Sequence, residues 1–140
     1  MMSDIKLKIR HAKRGNERHL DLSGMGLSEV PVDIIQLTML ETINLSNNKL
    51  TSLRRLEQLP NLREIVAPNN SIGALHPEMQ DMFSLESLNL VGNPVVNMCP
   101  EIARIDSNQN EVNAALKKYF GGSSAFSASI PSVGSVAQAV

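Results

Sequence analysis

The chain has 140 residues and a formal net charge of −1, a length that holds one modest core and a balance that gives no global pull toward nucleic acid or a membrane surface. The amino-terminal stretch Met-Met-Ser-Asp-Ile-Lys-Leu-Lys-Ile-Arg carries no apolar run of signal-peptide length, and no segment approaches a membrane span, so a cytoplasmic protein is expected. One cysteine, Cys99, permits no intrachain disulfide and reads as a small buried hydrophobe.

Residues 1–16 read as an amino-terminal helical cap. A helix is expected over 4–14, with Ser3 as N-cap, Gly15 as the stop, and Ile5, Ile9 and Ala12 on one face. The alternation Ile5, Leu7, Ile9 also suits a strand. Lys6, Lys8, Arg10, Lys13 and Arg14 occupy the rest of the surface, either as a solvated cap face or as a seat for an acidic partner or phosphate.

Residues 17–99 repeat themselves. A nine-residue string occurs at Glu17–Met25, Leu40–Asn48, Leu62–Asn70 and Leu85–Asn93, with spacings of 23, 22 and 23 residues. Apolar residues fill its fourth and sixth positions, and the last three copies begin with leucine and end with asparagine. A period in the twenties marks a solenoid whose unit cannot bury a core alone. Leu40, Ile43, Leu45, Leu50 and Leu53 of the second copy, with Leu62, Ile65, Ala67, Ile72 and Leu75 of the third, are expected to share one apolar core. The alternation around Ile43 and Leu45 predicts a short half-buried strand, and stacked copies pair these strands into a parallel sheet. Asn48, Asn70 and Asn93 fall where each coil leaves its strand, so their amides are expected to form a structural ladder on unpaired backbone groups.

The strings L-E-T-I-N-L-S-N-N-K-L, L-R-E-I-V-A-P-N-N-S-I and L-E-S-L-N-L-V-G-N-P-V resemble the leucine-rich repeat family. With H-L-D-L-S-G-M-G-L-S-E-V-P the likeness covers roughly residues 17–105. It implies an α/β fold, a right-handed solenoid or short horseshoe of about four repeats with helical caps at both ends. V-P-V-D-I-I-Q-L-T-M-L is similar to the longer intracellular repeat type, and L-T-S-L-R-R-L-E-Q-L-P-N-L to the shorter type of the phosphatase-regulator group. Three departures stand out. Met25 replaces the ladder asparagine, as suits a terminal coil. Ala67 and Pro68 thin the third coil and remove one backbone donor. Gly92-Asn93-Pro94 closes the fourth as the family's last repeats often do.

Residues 100–120 read as the carboxy-terminal cap. Pro100–Ile105 predicts a short turn of helix. After the polar break 106–110 a second helix carries Val112, Ala115, Leu116 and Tyr119 at helical spacing. Asn108 with Glu111 makes a capping-box-like start and Gly121-Gly122 a stop. Tyr119 and Phe120 are expected to pack on the last coil. Residues 121–140, uncharged and rich in Gly, Ser, Ala and Val, predict a flexible tail.

No catalytic, cofactor-binding or metal-binding set emerges. His11, His19 and His76 lie in the cap, on a strand and in a convex segment, and cannot converge with Cys99. No glycine loop leads from strand to helix to cradle a phosphate. The concave sheet face offers more, because its outward residues fall into columns. Arg18, Glu41, Arg63 and Glu86 alternate in sign and can satisfy one another. Beside them run His19, Thr42, Glu64 and Ser87; then Asp21, Asn44, Val66 and Asn89; then Ser23, Ser46, Pro68 and Val91. Those twelve form the candidate partner-binding face, with Val66, Pro68 and Val91 as an apolar centre. The expected function is protein–protein interaction through this face as an adaptor or scaffold. The expected partner is another protein, not nucleic acid or membrane, and the free chain is expected to be monomeric. Alternatives are a structural subunit of a large cytoskeletal or ciliary assembly, or a regulatory subunit in a phosphatase or small-GTPase pathway.

Overall fold

Recurrence of Ile5, Ile9 and Ala12 along one stripe makes residues Met2–Arg14 the helix α1, and all three are buried. The structure, a computed structural model, describes residues 2–106 and 109–121. Helix α1 opens at Met2, so Ser3 lies inside it and is not its N-cap. Its last residue is Arg14, so the helix stops at Gly15 as expected, and the closure is completed one position later. Asn16 takes the left-handed conformation at φ 48°. The N–H groups of Asn16 and Glu17 then bond the carbonyls of Lys13 at 3.3 Å and Ala12 at 2.9 Å. This is the Schellman closure, in which asparagine tolerates the positive φ usually given to glycine.

Strands β1 (His19–Asp21), β2 (Thr42–Asn44), β3 (Glu64–Val66) and β4 (Ser87–Asn89) follow, one per coil. They pair parallel and in sequence order, with Leu20, Ile43, Ile65 and Leu88 in one register line. That line points inward; Ile43, Ile65 and Leu88 are fully buried. Behind it Leu22, Leu45, Ala67 and Leu90 continue the core, joined by Leu50, Leu53, Leu62, Ile72 and Leu75.

The convex side is built of 3-10 turns, at Val32–Gln36, Leu56–Gln58 and Pro77–Asp81. The two repeat types resembled by the sequence therefore share one geometry and differ only in length. The second coil, 22 residues against 23, saves its residue here. Its turn has three residues instead of five, and the chain enters it through Arg55 at φ 91°. At the other corner Gly24, Asn47, Asn69 and Gly92 all adopt positive φ. A side chain at Gly92 would lie 2.4 Å from Asn69 Oδ1.

In the last three of these corners the next residue, an asparagine, holds the coils together. Asn70 Oδ1 accepts from Leu50 N at 3.0 Å, while its Nδ2 donates to Leu45 O at 2.9 Å and Ala67 O at 3.2 Å. Asn48 bonds Met25 N, Leu27 N and Leu22 O in the same way, and Asn93 bonds Ile72 N and Ala67 O. Each asparagine serves the coil before it. Met25 begins the series and has no earlier coil to serve.

The expected turn of helix over Pro100–Ile105 is only half realised. A 3-10 turn spans Pro100–Ile102, and Arg104–Ile105 form strand β5, antiparallel to β4. Leu90 N donates to Ala103 O at 2.7 Å, which satisfies a group that a turn of helix would leave open. Helix α2 (Gln109–Gly121) buries Val112 and Leu116, and packs Ala115, Tyr119 and Phe120 on the same core. Tyr119 Oη accepts from Leu75 N at 3.2 Å, and the Tyr119 and Phe120 rings meet edge to face at 4.8 Å. Gly121 is the helix's last residue. Gly121, expected to open the tail, thus belongs to the helix, while Asn108 of the expected capping box, Gly122 of the expected stop and the rest of the expected tail lie outside the described residues. Among the described residues no helix is long and apolar enough to cross a membrane.

Candidate protein-binding face

Strand register alone assembles the concave face. His19, Thr42, Glu64 and Ser87 stand in one row, and Asp21, Asn44, Val66 and Asn89 in the next. Beside them Arg18 meets Glu41 at 3.2 Å, and Arg63 meets Glu41 at 3.7 Å and Glu86 at 3.0 Å. These exposed pairs neutralise one another, so this margin presents no net charge.

The Asp21 row divides by chemistry. Asp21 Oδ1 accepts from Ser23 N and Oγ at 2.9 and 2.6 Å, and Asn44 Oδ1 from Ser46 N and Oγ at 3.0 and 2.6 Å. Asn89 Oδ1 accepts from Val91 N at 3.1 Å. Each side chain closes a local turn by satisfying the N–H two residues on. In the third coil that residue is Pro68, which has no N–H to satisfy. An acceptor at position 66 is dispensable, and valine stands there. Val66 and Pro68 thus go together at the apolar centre of the face, which Val91 of the next coil completes.

Exposure is graded across this centre. Val91 is 46% exposed, whereas Val66 and Pro68 are half-buried, so Val66 is less open than expected for an outward strand residue. His19 and Asp21 are exposed; Ser23, Thr42, Asn44, Ser46, Glu64, Ser87 and Asn89 are half-buried. Hydrogen bonds from the Ser23 side chain and backbone hold the Asp21 carboxyl below its ordinary value.

The histidines do not converge. His11 is exposed on α1, His19 is exposed on β1, and His76 is buried on the convex side. Among the described residues no group of three or more His, Cys, Asp and Glu side chains is placed to hold a metal. Burial, with a hydrogen bond to Glu101, raises the Cys99 thiol above its ordinary value, which disfavours the nucleophilic thiolate.

Sequence reasoning missed a convex network at the short second coil. His76 Nε2 lies 2.7 Å from Glu57 Oε1, with the imidazole side chain 2% exposed. Glu57 Oε1 also accepts from Arg55 N at 2.9 Å, and Arg55 Nη1 meets Glu29 Oε1 at 2.7 Å and bonds Val30 O. Three coils are tied side chain to side chain. A visible sign was the shorter spacing between Leu40 and Leu62, in the coil where Arg55 takes its positive φ.

Comparison with known proteins places the chain among repeats of this kind. A family profile described as leucine rich repeat matches residues 18–72. The chain is 32% identical over 100 residues to the geranylgeranyl transferase type-2 subunit alpha of Pongo abelii, covering 67% of this chain and 18% of that protein. It is 32% identical over 99 residues to a leucine-rich repeat-containing protein of Schizosaccharomyces pombe, covering 69% and 16%. With receptor-like protein 9b of Arabidopsis thaliana it shares 35% identity over 98 residues, covering 67% and 10%. The chain therefore spans less than a fifth of the length of each of these relatives. Among solved structures, the Drosophila melanogaster SNF/U2A' complex contains a chain 31% identical at TM-score 0.48, with 54% of this chain and 44% of that one covered.

Proposed function

The chain belongs to the leucine-rich repeat family, and on that premise we propose that it binds another protein through the concave face of its sheet. The observation that carries this reading is the Val66–Pro68–Val91 centre. It is the part of the Asp21 and Ser23 rows where side chains are not engaged in local turns, and it is flanked by polar residues as an interface core is by its rim. Pro68 lies two residues beyond the end of β3, and Val91 is nearly half exposed. An extended concave sheet suits a protein surface better than a small molecule, which needs an enclosed pocket.

In this reading the protein is a cytoplasmic adaptor, monomeric when free, that performs no catalysis of its own. The alternative of a subunit in a cytoskeletal or ciliary assembly would use contacts on any face, and the phosphatase or GTPase regulator role rests only on the likeness of some repeats to regulator subfamilies. The test is purification of binding partners from the native source with the wild-type chain and with Val66→Glu/Val91→Glu as bait, read by mass spectrometry. The double variant is expected to lose the principal partner while its thermal midpoint moves by only a few degrees, since both side chains reach solvent. Undiminished capture by the folded variant would move binding off the concave face, and would favour the assembly-subunit reading only if the partner contacts prove broad.

A further inference from the structure

Helix α1 does more than cover the first coil, because its geometry leaves a furrow along one flank. With Ile5, Ile9 and Ala12 turned inward, spacings of four and three residues stack Lys6, Arg10 and Lys13 in a row beside the buried stripe. Facing that row is the 3-10 turn Val32–Gln36 of the first coil. Two adjoining hollows lie between them and share Lys6, Ile9 and Asp33. One, of about 570 Å³, is lined by apolar groups that include Ile9, Met25, Leu27 and Val32. The other, of about 440 Å³, is lined by Lys6, Arg10 and Lys13.

The charges here are unequal in their commitments. Glu29, on the rim of the apolar hollow, is paired with Arg55 at 2.7 Å. Lys13 donates to Gln36 at 2.9 Å, an uncharged partner. Lys6 and Arg10 have no hydrogen bond or ion pair among the described residues. Among the described residues Asp33 is the one lining carboxylate without an ion pair, against Lys6, Arg10 and Lys13, which have none either; the fourth lining cation, Arg55, is taken by Glu29. The furrow therefore has an apolar end and a basic end with unspent positive charge. Met25 is a further mark of the same place. The residue that breaks the asparagine ladder lines the apolar hollow and is half-buried, and an unbranched thioether adapts to varied apolar partners. Val32 stands 56% exposed beside it.

We propose that this furrow docks an acidic amphipathic segment of a partner protein, with an apolar side chain seated among Ile9, Met25 and Val32 and Asp or Glu carboxylates on Lys6, Arg10 and Lys13. Charge complementarity selects the acids, and the apolar hollow beside them selects the anchor. From Lys6 to Lys13 is about 10 Å along a helix, the reach of about three extended residues, so the recognised segment is short. A phosphodiester chain has no use for the apolar hollow. A bilayer surface is too flat to follow a furrow whose floor includes Ile9, 3% exposed. This surface is on the cap and convex flank, separate from the concave face.

The test is selection of a random 12-residue peptide library, displayed on phage, against the full chain, followed by fluorescence anisotropy with the leading peptide made synthetically and labelled. Enriched peptides are expected to carry Asp or Glu next to a large apolar residue. Binding should weaken at least about tenfold in Lys6→Glu/Arg10→Glu and in Val32→Asp, fall as salt is raised, and stay unchanged in Val66→Glu/Val91→Glu. Circular dichroism verifies the fold of each variant; Lys6 and Arg10, unbonded and exposed, are expected to be replaced without loss of structure. No enrichment of acidic peptides, or equal binding by the cap variants, would overturn the proposal. So would binding of phosphatidylserine vesicles with no peptide bound.

Discussion

Asn70 shows how much one side chain can hold in this fold. Its carbonyl oxygen satisfies Leu50 N in the coil before, and its amide satisfies carbonyls in both coils, all away from water. Asn70→Leu adds apolar surface yet leaves those backbone groups without partners, so it is expected to cost about 1–3 kcal/mol, read from the denaturant midpoint. Glu57 makes a second case, sensitive to pH. Burial pushes its carboxyl up, but hydrogen bonds from its own backbone N–H, His76 and Arg55 outweigh that and leave it below the ordinary 4.5. A carboxylate only accepts, so Nε2 of His76 is the donor in that pair. A carboxyl lowered in the folded state adds stability that is present above its unfolded value and disappears as pH falls through the folded one. Urea midpoints taken between pH 5 and pH 3 should decline for the wild type and decline less for Glu57→Gln. Equal slopes would remove Glu57 from the acid response.

Among the elements, α2 is the one whose loss the fold should not survive. It seals the end of the last coil with Val112 and Leu116, and reaches back to the third coil through Tyr119 Oη and Leu75 N. Side chains of this size contribute roughly 1.5–3 kcal/mol each when buried, a total comparable with the whole stability of a small domain. A fragment ending at Ile105 is expected to aggregate or to lose its cooperative thermal transition, and a soluble fragment with a sharp transition would show that α2 is an accessory. The two helices were legible in the sequence because thirteen residues each display several turns of period. Their ends were less so: Asn16 replaces Gly15 as the left-handed residue because the closure needs that conformation one position later. The 3-10 turns and β5 are too short to carry a period, and Arg104–Ile105 become a strand only because β4 offers them bonds.

At the scale of the molecule, the regular spacing of Leu20, Ile43, Ile65 and Leu88 was enough to stack the coils and to predict the rows of the concave face. Side-chain commitments within those rows were not legible. The pairing of Asp21, Asn44 and Asn89 with the N–H two residues on depends on strand ends that sequence alone does not locate. The convex network of Glu29, Arg55, Glu57 and His76 was hidden for a related reason, since side-chain pairings across short 3-10 turns follow no sequence period. The reversed strand β5 has a consequence for how such a protein can change over generations. A parallel edge is a template on which a duplicated coil can be laid in the register of its neighbours, whereas a coil laid on β5 would pair antiparallel, as β4 does, and outside that register. Lengthening by duplication is thus most direct between β1 and β4, where a new unit meets like neighbours on both sides and both caps stay with the ends they already cover.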